Sequence, residues 1–287
     1  MPQDVLVQFS PNNAIIGVAG YYAGNEGTQH VIVGFNDGTL TEVYWKSGQG
    51  VHQDVLASFA DLISDVGGYF VPDDGTQHAI VGTRAGELIE LRWKSGQGIQ
   101  QNVLTSFNKV FIGGIAGYYA GNEGTQHVIV GTSDGNLHEV YWRSGQSAHQ
   151  DVLANFANGI GDVGGYFVPT EGTQHAIAAT SDGTVNEVYW KSGQGVHQDI
   201  LTRLSSSVAG IAGYYADKDG TQHVIVGTPD GLLQDVYWRS GQGVNQIVLA
   251  DFANGIADVG GYFVPNEGTQ HAIAGIYDGS LIEVYHQ

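Results

Sequence analysis

Apolar and polar positions follow one another in short runs, and nowhere does an apolar 3.6-residue period last long enough for a helix. The stretch from 115 to 156 shows the pattern. Ile115-Ala-Gly-Tyr-Tyr119 is short, small and aromatic, and Gln126-His-Val-Ile-Val-Gly131 is rich in β-branched residues. Leu137-His-Glu-Val-Tyr-Trp142 alternates with period two, and residues 149–156, His to Phe, make a fourth extended run. Between them lie Ser133-Asp-Gly-Asn136 and Ser144-Gly-Gln-Ser147, where glycine supplies positive φ at little cost. The pattern predicts four short strands joined by tight turns.

That unit recurs six times. Gly-Thr-Gln-His ends at His30, His78, His127, His175, His223 and His271, spaced 48 or 49 residues apart. A second ladder is Trp45, Trp93, Trp142, Trp190 and Trp238, with His286 in the sixth place. A third is Glu42, Glu90, Glu139, Glu187, Asp235 and Glu283. Six units of ~48 residues fill residues 1–287, so one domain is expected. Four strands per unit predict an all-β fold, a six-bladed β-propeller with four antiparallel strands per blade. A β-solenoid, with shorter coils, is the lesser alternative. The last unit stops after its third strand, and Gln3-Asp-Val-Leu-Val-Gln-Phe9 parallels Gln53-Asp-Val-Leu-Ala-Ser-Phe59. The N-terminal strand is therefore expected to complete the last blade and close a ring. Units one, three and five read Tyr-Tyr-Ala from Tyr21, Tyr118 and Tyr214. The other three read Asp-Val-Gly-Gly-Tyr-Phe-Val-Pro from Asp65, Asp162 and Asp258, which makes three two-blade units and predicts two types of site.

Composition narrows the function. The 287 residues include 44 Gly and no Cys, which removes disulfides, thiolate nucleophiles and Cys-bound metals. Ten Lys+Arg against 29 Asp+Glu give −19, a field that repels nucleic acid and anionic lipid. No apolar run approaches the ~20 residues of a membrane helix. Met1-Pro-Gln-Asp-Val-Leu6 has no basic and apolar signal pattern, so the location is left open between cytoplasm and non-classical secretion.

The phrase His-Val-Ile-Val-Gly-Thr-Ser-Asp-Gly-Asn-Leu-His-Glu-Val-Tyr-Trp, residues 127–142, resembles the blade core of six-bladed propeller lectins of the fungal fucose-lectin type. Tachylectin-like propellers are more distant. The resemblance spans all six repeats and implies a multivalent, non-catalytic carbohydrate-binding protein, probed by glycans between blades. In that family an Arg on the second strand, a Glu on the third and nearby aromatics hold the sugar. Here the Glu ladder fits, while the Arg position, twelve residues earlier, holds the His ladder.

The residues themselves leave alternatives. Each Glu could accept two sugar hydroxyls, or be satisfied by the His facing it across its own hairpin. Each Trp could stack on a pyranose or fill the space between blades. The His ladder is structural or hydrogen-bonds a sugar, and has no metal-ligand spacing. The Lys/Arg-Ser-Gly-Gln turns at Lys46, Lys94, Arg143, Lys191 and Arg239 are the binding candidates outside the core. The following strand repeats a Gln at Gln3, Gln53, Gln101, Gln150, Gln198 and Gln246. Asp65, Asp162 and Asp258 should face one another around the axis, either capped locally or forming a weak cation site. No cofactor and no enzymatic activity are expected, because acidic residues repeat blade by blade instead of forming one special pair. A monomer is expected, and the rival class is a protein-interaction or structural propeller without sugar binding.

Overall fold

A computed structural model describes residues 1–286. It contains 24 strands, β1 to β24, in six four-stranded antiparallel sheets. β1 (Gln3–Gln8) opens the chain, and blade 1 follows as β2 (Ile15–Ala23), β3 (Thr28–Phe35), β4 (Thr39–Trp45) and β5 (His52–Ser58). Blade 3 covers Ile112 to Asn155 with boundaries within about three residues of those expected. Blade 6 holds only β22 (Ile256–Val264), β23 (Thr269–Ile276) and β24 (Ser280–His286), and β1 adds as its fourth strand. The register runs Gln3 opposite Val284 and Asp4 opposite Glu283, with a bulge between Val5 and Val7. The ring is thus closed as the repeat pattern predicts. Phe9 anchors the closure by meeting Phe35 of blade 1 edge to face, with centroids 4.9 Å apart.

Blades pack face to face through apolar clusters that each draw on adjacent sheets. One joins Tyr118, Ile129 and Leu137 of blade 3 to Ile160, Val163 and Trp190 of blade 4. The first strand of each blade lies innermost, next to the first strands of its neighbours. Among the described residues no helix is long and apolar enough to cross a membrane.

The two-blade alternation has its cause at the axis. Asp65 of blade 2 occupies the space a side chain at Gly17 of blade 1 would fill, with a Cβ there only 2.8 Å from Asp65 Oδ1. Gly114 gives the same room to Asp162, and Gly210 to Asp258. Each Asp then reaches the following blade, accepting the N–H of Ile115, Ile211 and Val18 respectively at 2.5, 2.6 and 2.5 Å. Asp162 also accepts the N–H of Val163 at 2.7 Å. Each Asp is thus matched by a glycine of the preceding blade and a backbone donor of the following one, and the match repeats every second blade.

Candidate functional site

Two ladders meet inside every blade. His127 Nδ1 lies 2.7 Å from Glu139 Oε1, and His127 Nε2 lies 2.6 Å from Thr125 Oγ1. The same pairing joins His30 to Glu42, His78 to Glu90, His175 to Glu187 and His271 to Glu283, at 2.7 to 2.9 Å. In blade 5 the shorter Asp235 reaches His223 through Oδ2 at 2.9 Å and leaves Oδ1 buried with no partner among the described residues. His127 is 2% exposed and Glu139 5%, so each His spends both ring nitrogens in its own blade and orients the carboxylate.

Tyrosines extend this lattice. Tyr21 stacks on His30 at 5.0 Å, His30 on Tyr44 at 5.9 Å, and Tyr44 on His52 at 5.4 Å, a run across all four strands of blade 1. The inner tyrosine also links blades. Tyr21 Oη donates to Gln77 Oε1 of blade 2 at 3.0 Å, and Tyr69, Tyr118, Tyr166 and Tyr214 repeat the step around the ring. Tyr262 returns to Gln29 of blade 1 at 3.0 Å and completes it. Burial, then the charge of Glu42, pushes the Tyr21 phenol well above its usual range, so it remains a donor.

Outside this lattice, grooves open between neighbouring blades. The groove between blades 3 and 4 has a volume of about 550 Å³ and brings together Glu139, Trp142 and His127 with Trp190 of the next blade. Two Lys/Arg-Ser-Gly-Gln turns flank it, contributing Arg143 and Gln146 from one blade and Lys191 and Gln194 from the other. A corresponding groove of about 410 Å³ between blades 5 and 6 holds Asp235, His223, Trp238 and Arg239, with His286 where a second Trp would stand. A third, of about 120 Å³, carries His78, Trp93 and Lys94 of blade 2 and reaches Ser144 of blade 3. The tryptophans serve both readings. Trp45, Trp93, Trp142, Trp190 and Trp238 are buried in the inter-blade clusters, and four of them also form groove walls.

The structure adds a set that the ladders did not reveal. Tyr141, His149 and Asp151 line the groove between blades 3 and 4 from the outer strand pair. In blade 1 the equivalent Tyr44 donates to Asp54 Oδ2 at 3.2 Å. The signal lay in the period of two: His149 and Asp151 flank Gln150, so they face away from it. Gln150 instead accepts from Thr105 of the preceding blade at 3.1 Å, and Gln53 lies in a groove between blades 6 and 1. The repeated Gln thus turns its back on the groove that holds Glu139.

At the axis, Asp65, Asp162 and Asp258 are buried and satisfied by backbone donors. No group of three or more His, Cys, Asp or Glu is placed to hold a metal ion among the described residues. Burial raises the Asp162 carboxyl to about 8. Burial and the charges of Asp162 and Asp258 push Asp65 up, and burial with Asp162 does so for Asp258. The three groups therefore sense one another across the channel. The Asp residues that alternate between blades sit here and not at the rim grooves.

No family model and no curated protein matches this chain. Solved structures do share its fold. AofleA from Arthrobotrys oligospora superposes with a TM-score of 0.74 at 14% identity, over 100% of this chain and 86% of that one. SapL1 lectin, solved in complex with alpha methyl fucoside, gives 0.73 at 14% identity over 99% and 96%. A mutant of NanB sialidase from Streptococcus pneumoniae gives 0.74 at 9% identity over 99% of this chain and 70% of that one. The likeness establishes the propeller; two of these neighbours carry no more than a fold across to this chain, and so does the third.

Proposed function

We propose that the protein is a multivalent, non-catalytic carbohydrate-binding lectin with shallow sites in the grooves between blades. The observation that carries this is the groove between blades 3 and 4, where a buried carboxylate, two Trp rings and two polar turns from adjacent blades share one lining. Glu139 Oε1 is held by His127, which fixes the side chain and leaves Oε2 to accept sugar hydroxyls. Trp142 and Trp190 present apolar surface suited to the C–H face of a pyranose. Tyr141, Asp151, Arg143 and Gln194 supply hydrogen bonds at the rim. Glu42, Glu90, Glu187, Asp235 and Glu283, with Trp45, Trp93 and Trp238, repeat the arrangement, and the His ladder positions the acids without touching the sugar. SapL1, which shares the fold, is a lectin solved with a fucoside, which supports the ligand class.

Repetition speaks against catalysis. Glu42 and Asp54, Glu139 and Asp151, Glu187 and Asp199, and Glu283 and Asp4 are the same registered pair in four blades, whereas a glycosidase separates its acids into unlike roles at one site. Each site is expected to bind weakly, about millimolar to micromolar, with avidity on dense glycans. Calorimetry on Glu139→Gln with the best glycan from an array should show one site fewer and the others unchanged. Absence of binding to every glycan, or unchanged stoichiometry in a folded variant with all the Glu replaced, would refute the lectin and favour a protein-interaction propeller.

A further inference from the structure

The six repeats supply their own comparison, and at one position of the third strand a single blade carries a cation. Five blades carry a tyrosine one position before the end of the third strand: Tyr44, Tyr141, Tyr189, Tyr237 and Tyr285. Blade 2 carries Arg92 there, in the same register opposite His78. Across the fourth strand, blades 1, 3 and 4 place His and Asp, as in His52 and Asp54, whereas blade 2 places Gln100 and Asn102. Relative to the groove between blades 3 and 4, one carboxylate is lost and one guanidinium gained. Lys94 stands in the same lining, in a chain with only ten Lys+Arg in all.

The guanidinium is also oriented. Arg92 Nε and Nη2 donate to Gln100 Oε1 at 3.0 and 2.8 Å, so one edge of the plane is clamped. Of the five N–H donors of an arginine, about three remain, and they include the end-on Nη1–Nη2 fork. That fork matches the two oxygens of a carboxylate. The acid in the same groove is held by its own loop: Asp74 Oδ1 accepts the backbone N–H of Thr76 at 2.9 Å and its hydroxyl at 2.5 Å, and no ion pair joins it to Arg92 or Lys94 among the described residues. Glu90 is buried against His78. Arg92 itself is exposed.

We propose that the groove between blades 2 and 3 binds the carboxylate of an acidic sugar, while its counterparts bind neutral sugar. The inference rests on the lectin reading and adds to it a second ligand class at one site. Arg92 is the specificity-determining residue, Gln100 its positioning residue, and Lys94 a second cation beside it.

The test is an array bearing neutral glycans and glycans ending in uronic or sialic acid, probed with wild type and with a double variant, Arg92→Tyr with Asn102→Asp. The double variant installs residues that other blades already carry, and Arg92→Gln serves as a milder second variant. Melting curves check that all three proteins fold. Loss of a charge-assisted pair should weaken binding to the acidic glycans about ten- to hundredfold and leave the neutral ones within about twofold. Acidic glycans that bind equally to wild type and to both folded variants would overturn the inference, as would neutral glycans that bind while acidic ones do not. If no glycan of either kind binds, the lectin reading falls and takes this one with it, an outcome distinct from the preceding two.

Discussion

Raising the pH from 5 to 8 should loosen the propeller through its axis, and Asp162→Asn should remove that response. Asp162 titrates near 8 in the folded chain because burial disfavours its charged form, against the opposing pull of the Ile211 and Val163 N–H groups. In the unfolded chain an Asp titrates near ~3.9. The folded state therefore keeps a proton that the unfolded state has released. A raised acid pKa means that stability is full below about 4 and is lost as pH climbs toward 8. Each pH unit in that window removes ~1.4 kcal/mol, so three units remove about 4 kcal/mol. With an unfolding entropy of ~2.1 cal/mol/K per residue, the melting temperature should fall by about 7 °C from this one group.

Asp162→Asn separates this effect from the general repulsion of a chain at −19. The amide cannot ionise, so its share of the slope disappears. It also puts an NH₂ where one carboxylate oxygen accepted a backbone N–H, which costs about 1–3 kcal/mol at pH 5. The two melting curves should therefore start apart at pH 5 and converge or cross by pH 8, read by differential scanning fluorimetry or calorimetry. Parallel curves would refute the account. So would calcium raising the wild-type melting temperature at pH 8 with no effect on the variant, because a bound cation keeps the carboxylates ionised.

Two further perturbations probe the ring. Deleting residues 2–9 removes Leu6, Val7 and Phe9 from their cluster and bares the edge of β24, and partial burial of three such side chains is worth about 3–6 kcal/mol; an unchanged melting temperature and monomeric elution would show that β1 is dispensable. Gly114→Ala places a Cβ 2.5 Å from both Asp162 Oδ1 and Val163 N, and should destabilise by about 1–3 kcal/mol. Gly161→Ala meets nothing nearer than Ala179 O at 3.7 Å and is the control, so equal melting shifts for the two would contradict the fit of Asp162 against Gly114.

The repeat and its strands were legible because an alternation of period two and tight glycine turns are local properties of the chain. Closure was legible too, since residues 3–9 match 53–59 at five of seven positions. The roles inside the blade were not. Periodicity places His127 and Glu139 on one face of their hairpin, but in a propeller both faces of a blade meet a neighbour. Only packing shows that His127 turns inward with both nitrogens occupied while Trp142 serves core and groove together. The alternation of blades predicted two kinds of site, yet Asp65, Asp162 and Asp258 lie at the axis. There the strands are closest and a carboxylate fits only against glycine, a long-range constraint that no local pattern encodes.

Inner and outer positions also differ in what a substitution does to them. Asp235, the one departure in the Glu ladder, shortens a buried side chain and leaves Oδ1 without a partner. An unsatisfied buried acceptor of that kind costs about 1–3 kcal/mol. Arg92, the departure at the rim, finds Gln100 at once and keeps its remaining donors in water. Asn245 and Ile247 of blade 5 likewise replace the His and Asp of blades 1, 3 and 4 on an exposed or half-buried strand. The ring of Tyr-to-Gln hydrogen bonds runs through the inner positions alone, so its closure does not depend on what the outer strands carry. Groove chemistry can therefore change one blade at a time while six blades stay joined, which is the physical condition for a scaffold that presents related but unequal sites.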